Sequence, residues 1–182
     1  NWFLQIETFD PHEPFHSAQR FKDLYREHYE KYGGPEWDWP SYRPMWENEK
    51  GELAEHMRHE YASLMSMCDA QLGRVLEHLR DRGRLDSTLV IFSSDNGPVT
   101  AAALTPWELG MAGETGGLRG KKRFLFEGGI RVPGIVRYPP RVNAGTVSHV
   151  PATALDVFPT LAAILDVAPR AGVPRDGDSL LP

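Results

Sequence analysis

A carboxylate and an amide stand together in the middle of the chain, directly after a short apolar run. The run covers residues 88–92, and Asp95, Asn96 and Gly97 follow it. Carboxylate and amide oxygens are hard ligands that suit Ca²⁺ or Mg²⁺, and α/β sheets bind ligands at the carboxyl ends of their strands. Because Asp-Asn-Gly is also a common turn sequence, an ordinary turn remains the alternative to a metal site.

A basic, glycine-rich segment lies further along the chain. Residues 116–123 combine three glycines with four cationic side chains. Such a segment is able to bring backbone amides and cationic groups to an oxyanion, although a solvated basic loop has the same composition. Glu127 and Arg131, on either side of the paired Gly128 and Gly129, either belong to the same site or form a structural ion pair. The sequence leaves these alternatives open.

His12 is the remaining candidate for chemistry, in a loop between Pro11 and Pro14. Its imidazole is suited to donate a hydrogen bond to an anion or to act as a general acid, whereas an exposed loop histidine without a role is the alternative. The other histidines lack the spacing of a transition-metal site, and we assign them no role: His16, His28, His56, His59, His78 and His149.

The elements that must position these residues alternate between helices and strands. Apolar residues recur at three- and four-residue intervals over residues 55–81, which predicts an amphipathic helix. The apolar run at 88–92 predicts a strand buried on both faces of a parallel sheet. A helix followed by such a strand predicts the α/β fold class.

Weaker patterns predict the flanking elements. Aromatic and branched residues over 2–9 predict a strand, charged residues over 20–32 predict a helix, and residues 130–138 predict a strand interrupted at a Pro-Gly pair. The last helix is predicted over 156–167, with Asp156 as its cap. Its predicted buried stripe consists of Phe158, Leu161, Ala162 and Leu165.

The segment from Gly33 to Asn48 predicts a long aromatic-rich loop, since it holds glycines, prolines and three tryptophans without periodicity. Its aromatic side chains are candidates for a platform on which sugar rings stack: Trp37, Trp39, Tyr42 and Trp46. Aromatic residues in long loops also commonly anchor the loop on the core. Both interpretations stay open at this point.

Bulk properties bound the kinds of function. With 182 residues, 41% of them hydrophobic, the composition is that of one globular domain. The formal net charge of -5, with acidic residues spread among basic ones, gives no indication of the polyanion-binding face that nucleic acid needs. No apolar run reaches the roughly 18 residues of a membrane-spanning helix, so we expect a soluble protein. The chain opens at Asn1 without an initiator methionine, and we expect it to be a fragment.

Six motifs in a fixed order carry a resemblance to a known family. In chain order they are DPHEP (10–14), TLVIFSSDNG (88–97), LRGKK (118–122), EGGIRVP (127–133), DVFPTL (156–161) and DGDSL (176–180). The ordered series resembles the later half of the type I sulfatase (arylsulfatase) catalytic domain. The resemblance covers nearly the whole chain except the aromatic-rich loop.

The resemblance implies an alkaline-phosphatase-like α/β fold, with a mostly parallel sheet flanked by helices. It implies that Asp95 and Asn96 supply two ligands to a Ca²⁺, with Mg²⁺ as the alternative. It further implies that His12 contacts the sulfate or the leaving-group oxygen and that Lys122 helps to neutralise the sulfate. Lys122 stands five residues before Glu127, where the family's lysine falls. Because two lysines stand side by side, the neighbouring Lys121 is the alternative sulfate contact.

The family's nucleophile is missing from this sequence. Type I sulfatases use a formylglycine made from a cysteine or serine in a Cys/Ser-x-Pro/Ala-x-Arg motif, together with upstream aspartates that complete the metal site. Cys68 is followed by Ala70 at the right spacing, but Leu72 stands where the motif has arginine. Because Cys68 also falls on the apolar stripe of a predicted helix, we interpret it as a core cysteine. Residues 1–182 are therefore expected to be one partial sulfatase catalytic domain that is inactive in isolation.

These expectations combine into a sulfuric ester hydrolase that releases sulfate from a small sulfated alcohol, with a sulfated glycan as one candidate. In the implied mechanism, the hydrated formylglycine attacks sulfur, the cation and basic groups hold the sulfate, and His12 assists departure of the alcohol. Two alternatives remain: a phosphate or phosphonate ester hydrolase of the same superfamily, and a non-catalytic relative that keeps the fold as a binding module. The resemblance also implies a periplasmic or secreted protein.

Overall fold

The computed structural model describes residues 2–39, 51–98, 115–168 and 172–181. The chain is divided between two units, each assembled from two stretches. The first unit contains Asn1–Leu85 and Ile91–Ile135, and the second contains Asp86–Val90 and Val136–Pro182. The interpretation of residues 1–182 as one partial domain stays a prediction.

Helices are the main regular structure, so the described residues form a helix-rich α/β chain with short strands. The α-helices are α1 (Gln19–Lys22), α2 (Arg26–Lys31), α3 (Glu52–Asp81), α4 (Glu127–Ile130) and α5 (Val157–Ile164), the strands are β1 (Val90–Ser93) and β2 (Gly134–Arg137), and 3₁₀ turns cover Asp23–Tyr25, Leu85–Ser87 and Ala154–Asp156. None of the helices in the described part of the chain has the length and apolar character of a membrane span.

The long helix α3 is the central element of the first unit. Glu52 and Glu55 lie in its first turn and Arg80 lies in its last, which suits the direction of the helix dipole. The helix stops just before Gly83, which adopts a positive φ of 61° that glycine tolerates without strain. The helix predicted over 55–81 is confirmed and begins three residues earlier. The helix predicted over 20–32 is present as α1 and α2, separated by one 3₁₀ turn.

The core of the first unit lies on one face of α3. Met57 and Leu64 form a buried cluster with Phe15, and Trp37 and Met67 pack against it. Met57 and Leu64 are seven residues apart, so they lie above one another on the helix surface. The amphipathic pattern that predicted this helix is therefore the pattern that builds the core.

The strand predicted over residues 2–9 is wrong, because the structure has irregular chain there. Its aromatic side chains Trp2, Phe3 and Phe9 are exposed. Strand propensity measures how well side chains fit a half-buried pleated surface, whereas a strand forms only where its backbone groups pair with a neighbour. Among the described residues, no strand pairs with this segment.

The sheet of the described chain has two strands, β1 and β2. The expectation that β1 is buried on both faces is wrong, since Ile91 and Phe92 are 38% and 39% exposed. An apolar run is buried in a sheet only where other layers cover both of its faces. The described elements do not provide such cover for β1. The mostly parallel sheet therefore remains a prediction.

The strand predicted over 130–138 is shorter than expected. The paired glycines Gly128 and Gly129 lie in α4, a single helical turn. β2 begins only at Gly134. Pro133 has no amide hydrogen to contribute to a sheet, which explains why pairing starts after it.

Asp156 organises the second unit. Its Oδ2 accepts hydrogen bonds from the backbone amide of Thr153 at 2.6 Å, and its Oδ1 accepts from the amide of Asp178 at 2.8 Å. The hydroxyl oxygen of the buried Thr160 accepts from the amide of Leu180 at 2.9 Å. Asp156 occupies the N-cap position of α5, as predicted, but its side chain makes no capping hydrogen bond to that helix. It caps the preceding 3₁₀ turn instead, in a reciprocal box with Thr153.

The buried stripe predicted on α5 is wrong. Phe158 and Leu165 are 67% and 57% exposed, whereas Pro159 and Thr160 are buried. The face that carries Thr160 binds the last described segment of the chain through hydrogen bonds, and that segment covers it. In a helix of eight residues, apolar spacing alone does not determine which face is covered.

Candidate functional site

The loop that carries Asp95 and Asn96 leaves the carboxyl end of β1, as predicted. The hydroxyl of Ser94 donates to Asp95 Oδ1 and to the carbonyl oxygen of Asn96, both at 3.4 Å. The side chain of Asp95 is exposed and that of Asn96 is half-buried. The loop thus presents one carboxylate and one amide beyond the strand end.

Two backbone hydrogen bonds attach this loop to the basic segment. The amide of Lys122 donates to the carbonyl of Pro98 at 3.0 Å, and the amide of Gly97 donates to the carbonyl of Gly129 at 2.9 Å. We call the two segments joined in this way the paired loops, residues 94–98 and 119–129. Sequence reasoning selected residues in both loops but gave no sign that these backbone bonds join them.

Glycines allow the paired loops to approach each other closely. A Cβ added to Gly97 would overlap the carbonyl oxygen of Gly128, and one added to Gly128 would overlap that of Gly120. A Cβ on Gly129 would overlap the carbonyl of Lys121. Gly128 and Gly129 are buried, so they are packing positions between segments. Their placement side by side in the EGG motif is the sequence signal for this role.

The cations of the basic segment have different surroundings. The guanidinium of Arg119 lies over the ring of Phe126, 3.9 Å from its centre. Arg131 pairs with Glu127 at 2.9 Å within one helical turn, which decides the alternative left open by the sequence in favour of an ion pair. Lys121 and Lys122 are half-buried.

His12 is held within its own loop. Its Nδ1 donates to the carbonyl of Glu13 at 3.0 Å and lies 3.2 Å from the carboxylate of the same residue. Its ring also contacts the ring of Phe9 at 4.5 Å. Among the described residues, these contacts do not connect His12 to the paired loops. The structure therefore joins the segments that carry Asp95, Asn96 and Lys122 through backbone hydrogen bonds, while His12 is placed by a separate segment.

Cys68 anchors the His12 loop to α3. Its thiol donates to the carbonyl oxygen of Asp10 at 3.9 Å. Burial raises the pKa of the Cys68 thiol above 9.0, and the negative charges of Asp10 and Asp69 add to the rise. A thiol held in its neutral form is a poor nucleophile, in agreement with the interpretation of Cys68 as a packed cysteine.

The metal donors that the sequence offers are only partly assembled. Within the ranges that the structure describes, no group of three or more His, Cys, Asp or Glu side chains is arranged to hold a metal ion. Ca²⁺ takes about six to eight oxygen ligands. Asp95 and Asn96 would supply two of them, if each binds through one oxygen. Their hard oxygens fit such a cation, but they do not form a complete site.

The aromatic-rich loop is described only up to residue 39, and Tyr42 and Trp46 lie outside the described residues. Trp37 packs against the core cluster on α3, which favours anchoring of the loop for this residue. Trp39 is exposed. One of the four aromatic side chains is thus available to a ligand in the described part of the loop.

Comparison with known proteins identifies the family. Residues 1–167 match the family model described as Sulfatase. The chain belongs to the sulfatase family. This sulfatase is 36% identical over 130 residues to N-acetylgalactosamine-6-sulfatase of Homo sapiens, a match that covers 71% of the chain and 24% of that protein.

Other sulfatases show the same partial match. Arylsulfatase A of Homo sapiens is 40% identical over 120 residues, which covers 66% of the chain and 22% of that protein. Steryl-sulfatase of Mus musculus is 35% identical over 132 residues, which covers 72% of the chain and 21% of that protein. The chain therefore spans less than a quarter of the length of these curated relatives.

A solved structure shares the fold. The crystal structure of Ps i-CgsB in complex with k-i-k-neocarrahexaose matches 94% of this chain and 31% of its own, with a TM-score of 0.67 and 25% sequence identity. The described helices and strands therefore take the arrangement found in part of a much longer folded chain. This agrees with the fold class that the motif series implied.

Proposed function

We propose that the full-length protein hydrolyses sulfate esters, and that the paired loops form part of the site for the sulfate group and a divalent cation. The observation that carries the proposal is the hydrogen bond from the amide of Lys122 to the carbonyl of Pro98. It fixes a cationic residue beside the loop that presents Asp95 and Asn96. A sulfate group is stabilised by fixed cations and metal-bound positions of this kind.

Lys122 is the proposed sulfate contact, in preference to Lys121. The amide of Lys122 makes the bond to the Asp95 loop, while the carbonyl of Lys121 accepts from the amide of Phe124 within its own segment. Neighbouring residues project their side chains in different directions. An ammonium group that points towards the Asp95 loop would neutralise the sulfate through charge-assisted hydrogen bonds.

Asp95 and Asn96 are proposed as two oxygen ligands of Ca²⁺, with Mg²⁺ as the alternative. When bound, the cation would stabilise negative charge on the sulfate oxygens. A formylglycine is the nucleophile that the family resemblance implies, and residues 1–182 contain no motif for it. We therefore expect the isolated chain to be inactive.

His12 is proposed to donate a proton to the leaving alcohol. Its Nδ1 is engaged by the carbonyl of Glu13, which fixes the orientation of the ring and keeps Nε2 available. The proton would then leave from Nε2. In the proposed complete enzyme, the His12 loop must reach the sulfate that Lys122 holds.

A sulfated carbohydrate is the proposed substrate class. The names of N-acetylgalactosamine-6-sulfatase and of the neocarrahexaose complex both refer to sugars. The exposed Trp39 offers a face on which a sugar ring could stack. The name steryl-sulfatase points to a sterol substrate instead, so the sugar class needs a direct test. A periplasmic or secreted location and a mostly parallel sheet in the complete protein are also proposed.

The test compares aryl sulfate, aryl phosphate and aryl phosphonate esters as substrates of the full-length protein. We expect hydrolysis of the sulfate ester to dominate and to fall about a hundredfold or more in Asp95→Ala. The matched control is Asp69→Ala, an exposed aspartate on α3, which should keep the wild-type rate. Faster phosphate or phosphonate hydrolysis would support the alternative enzyme, and no turnover of any ester would support the binding module.

A further inference from the structure

Three histidines that the proposed sulfate site does not use meet between α2 and α3. His28 on α2 stacks face to face on His59 of α3, with ring centres 3.8 Å apart and planes within 1° of parallel. Nε2 of His28 also shares a hydrogen bond of 3.1 Å with Nδ1 of His56. Tyr32, the residue after α2, stacks on His56 at 3.9 Å. These ring contacts join α2 to α3, and we call the three imidazoles the histidine cluster.

The hydrogen bond between two imidazoles limits how many protons the histidine cluster accepts. One ring nitrogen has to donate and the other has to accept, so His28 and His56 cannot both be protonated while the bond exists. If both were protonated, two N–H groups and two positive charges would face each other. The stack of His28 on His59 adds a second repulsion when both of those rings are charged.

The buried acid beside the cluster is already paired. Glu60 is 2% exposed and His56 is 3% exposed. The ammonium of Lys22 lies 2.8 Å from the Glu60 carboxylate, whereas Nε2 of His56 is 3.6 Å from it. Since Lys22 holds the shorter contact, Glu60 gives His56 only part of the compensation that a buried imidazolium needs.

The remaining surroundings of the cluster come from α1, the 3₁₀ turn, α2 and α3. Glu55 lies 3.7 Å from the ring of His59 and also pairs with Arg58 at 3.1 Å. The titratable and charged groups that face the cluster are Lys22, Tyr25, Tyr29, Tyr32, Glu52, Glu55, Arg58 and Glu60. These groups include both signs of charge, so their effects on the imidazoles oppose one another. Burial and repulsion between the imidazoles therefore decide whether the rings are neutral or protonated.

The titration of the cluster follows from this geometry. Burial holds the pKa of His28 below 6.5, with repulsion from His59 as the next cause. Burial also lowers the pKa of His56, against the opposing effect of Glu60. A histidine whose pKa is lowered by folding binds its proton more tightly once the contact opens. The contact is therefore fully stable above pH 6.5 and weakens as pH falls towards the lowered pKa.

We propose that the histidine cluster is an acid-released latch, in which neutral rings hold α2 on α3 and protonation frees α2 and Tyr32. The only chemical step is uptake of a proton by an imidazole, with loss of the His28–His56 hydrogen bond. The released residues directly precede the aromatic-rich loop, whose Trp37 stays packed on the core cluster. This inference does not depend on the proposed sulfate chemistry.

The test is amide hydrogen exchange in the full-length protein at pH 7.5 and 5, corrected for the intrinsic effect of pH. We expect α2 to lose protection at the lower pH, by about tenfold for each unit by which a histidine pKa is lowered, while α5 keeps its protection. In His28→Gln/His59→Gln, the protection of α2 should depend on pH less than in the wild type, because only the buried His56 of the cluster remains. His78→Gln, at an exposed position on α3, should behave as wild type.

Equal protection of wild-type α2 at both pH values would overturn the latch, and so would an unchanged pH dependence in the double variant. A measurement on the wild type keeps the test decisive if the double variant does not fold. Proton NMR titration should then show His28 and His56 titrating at lower pH than in the unfolded chain. Titration of both residues at or above their pH in the unfolded chain would also overturn the proposal.

Discussion

At the scale of single residues, the difference between Lys121 and Lys122 lies in their backbone groups. Of the two lysines, Lys122 is the one whose amide binds the loop that carries the proposed metal ligands, although the two side chains have the same chemistry and similar burial. A fixed position relative to the developing charge is what makes a cation effective in catalysis. Lys121 and Lys122 should therefore contribute unequally to the rate of hydrolysis.

We predict that Lys122→Ala lowers kcat/KM for an aryl sulfate about a hundredfold or more, because it removes a preorganised cation from the sulfate. Lys121→Ala, the matched control, should stay within about threefold of wild type, as expected for a cation that lacks this position. Steady-state kinetics of the full-length variants would check this, with circular dichroism to confirm folding. The reverse order of effects would assign the sulfate contact to Lys121.

Single residues also show where sequence reasoning ends. Asp95 and Asn96 could be selected because they follow an apolar run inside a recognisable motif. His28 and His56 were assigned no role, since they lie 28 residues apart in the chain and no local pattern links them. Only the packing of α2 on α3 brings their rings together, so the histidine cluster became visible in the structure alone.

At the scale of elements, length decided what the sequence could predict. The helix α3 has 30 residues, and its apolar spacing repeats often enough to determine its extent and its buried face. The strand β1 and the helix α5 are short, and the expected burial was wrong for both. Their exposure depends on which other segments cover them, and that information is not contained in their own residues.

Gly128→Ala should disturb the paired loops, because the added methyl group would overlap the carbonyl of Gly120. We predict a loss of roughly 1–3 kcal/mol in the free energy of unfolding, the usual cost of overpacking. Gly134→Ala is the control, since an added Cβ there meets no atom within 4 Å. Denaturant unfolding of both variants checks this, and equal stability would mean that the loops are not held at this distance.

The hydrogen bonds of Asp156 predict a pH effect in the second unit. The amides of Asp178 and Thr153 donate to the carboxylate and hold its pKa below 3.8. A carboxylate with a lowered pKa stabilises the fold above its ordinary pKa, and that contribution is lost as pH falls through the lowered value. The attachment of residues 178–180 should therefore weaken only in strong acid.

Asp156→Asn should remove this pH dependence, because an amide does not titrate. It should also loosen the segment at every pH, because an amide has one oxygen acceptor in place of two. We expect hydrogen exchange at the amides of Asp178 and Leu180 to be faster than wild type at neutral pH and independent of pH below about 4. Asp176→Asn, in the same segment, serves as the control. Wild-type protection in Asp156→Asn would show that the carboxylate does not hold the segment.

At the scale of the whole molecule, family and fold were accessible from the order of the motifs, while the surroundings of the site were not. The motif series implied a sulfatase, and the family match over residues 1–167 confirms it. Ligands beyond Asp95 and Asn96 could not be identified, because a metal site draws on distant segments. The relatives are more than four times as long as the matched part. Their activity is therefore proposed for the full-length protein.

The most direct test of the proposed site is calorimetric titration of the full-length protein with Ca²⁺ and then with sulfate. We predict that Asp95→Ala weakens Ca²⁺ binding by more than about tenfold, equivalent to 1.4 kcal/mol, and that Lys122→Ala weakens sulfate binding while Ca²⁺ binding is kept. Asp69→Ala should leave both affinities unchanged. Wild-type affinities for both ions in Asp95→Ala and Lys122→Ala would contradict the assignment of the paired loops as a cation and sulfate site.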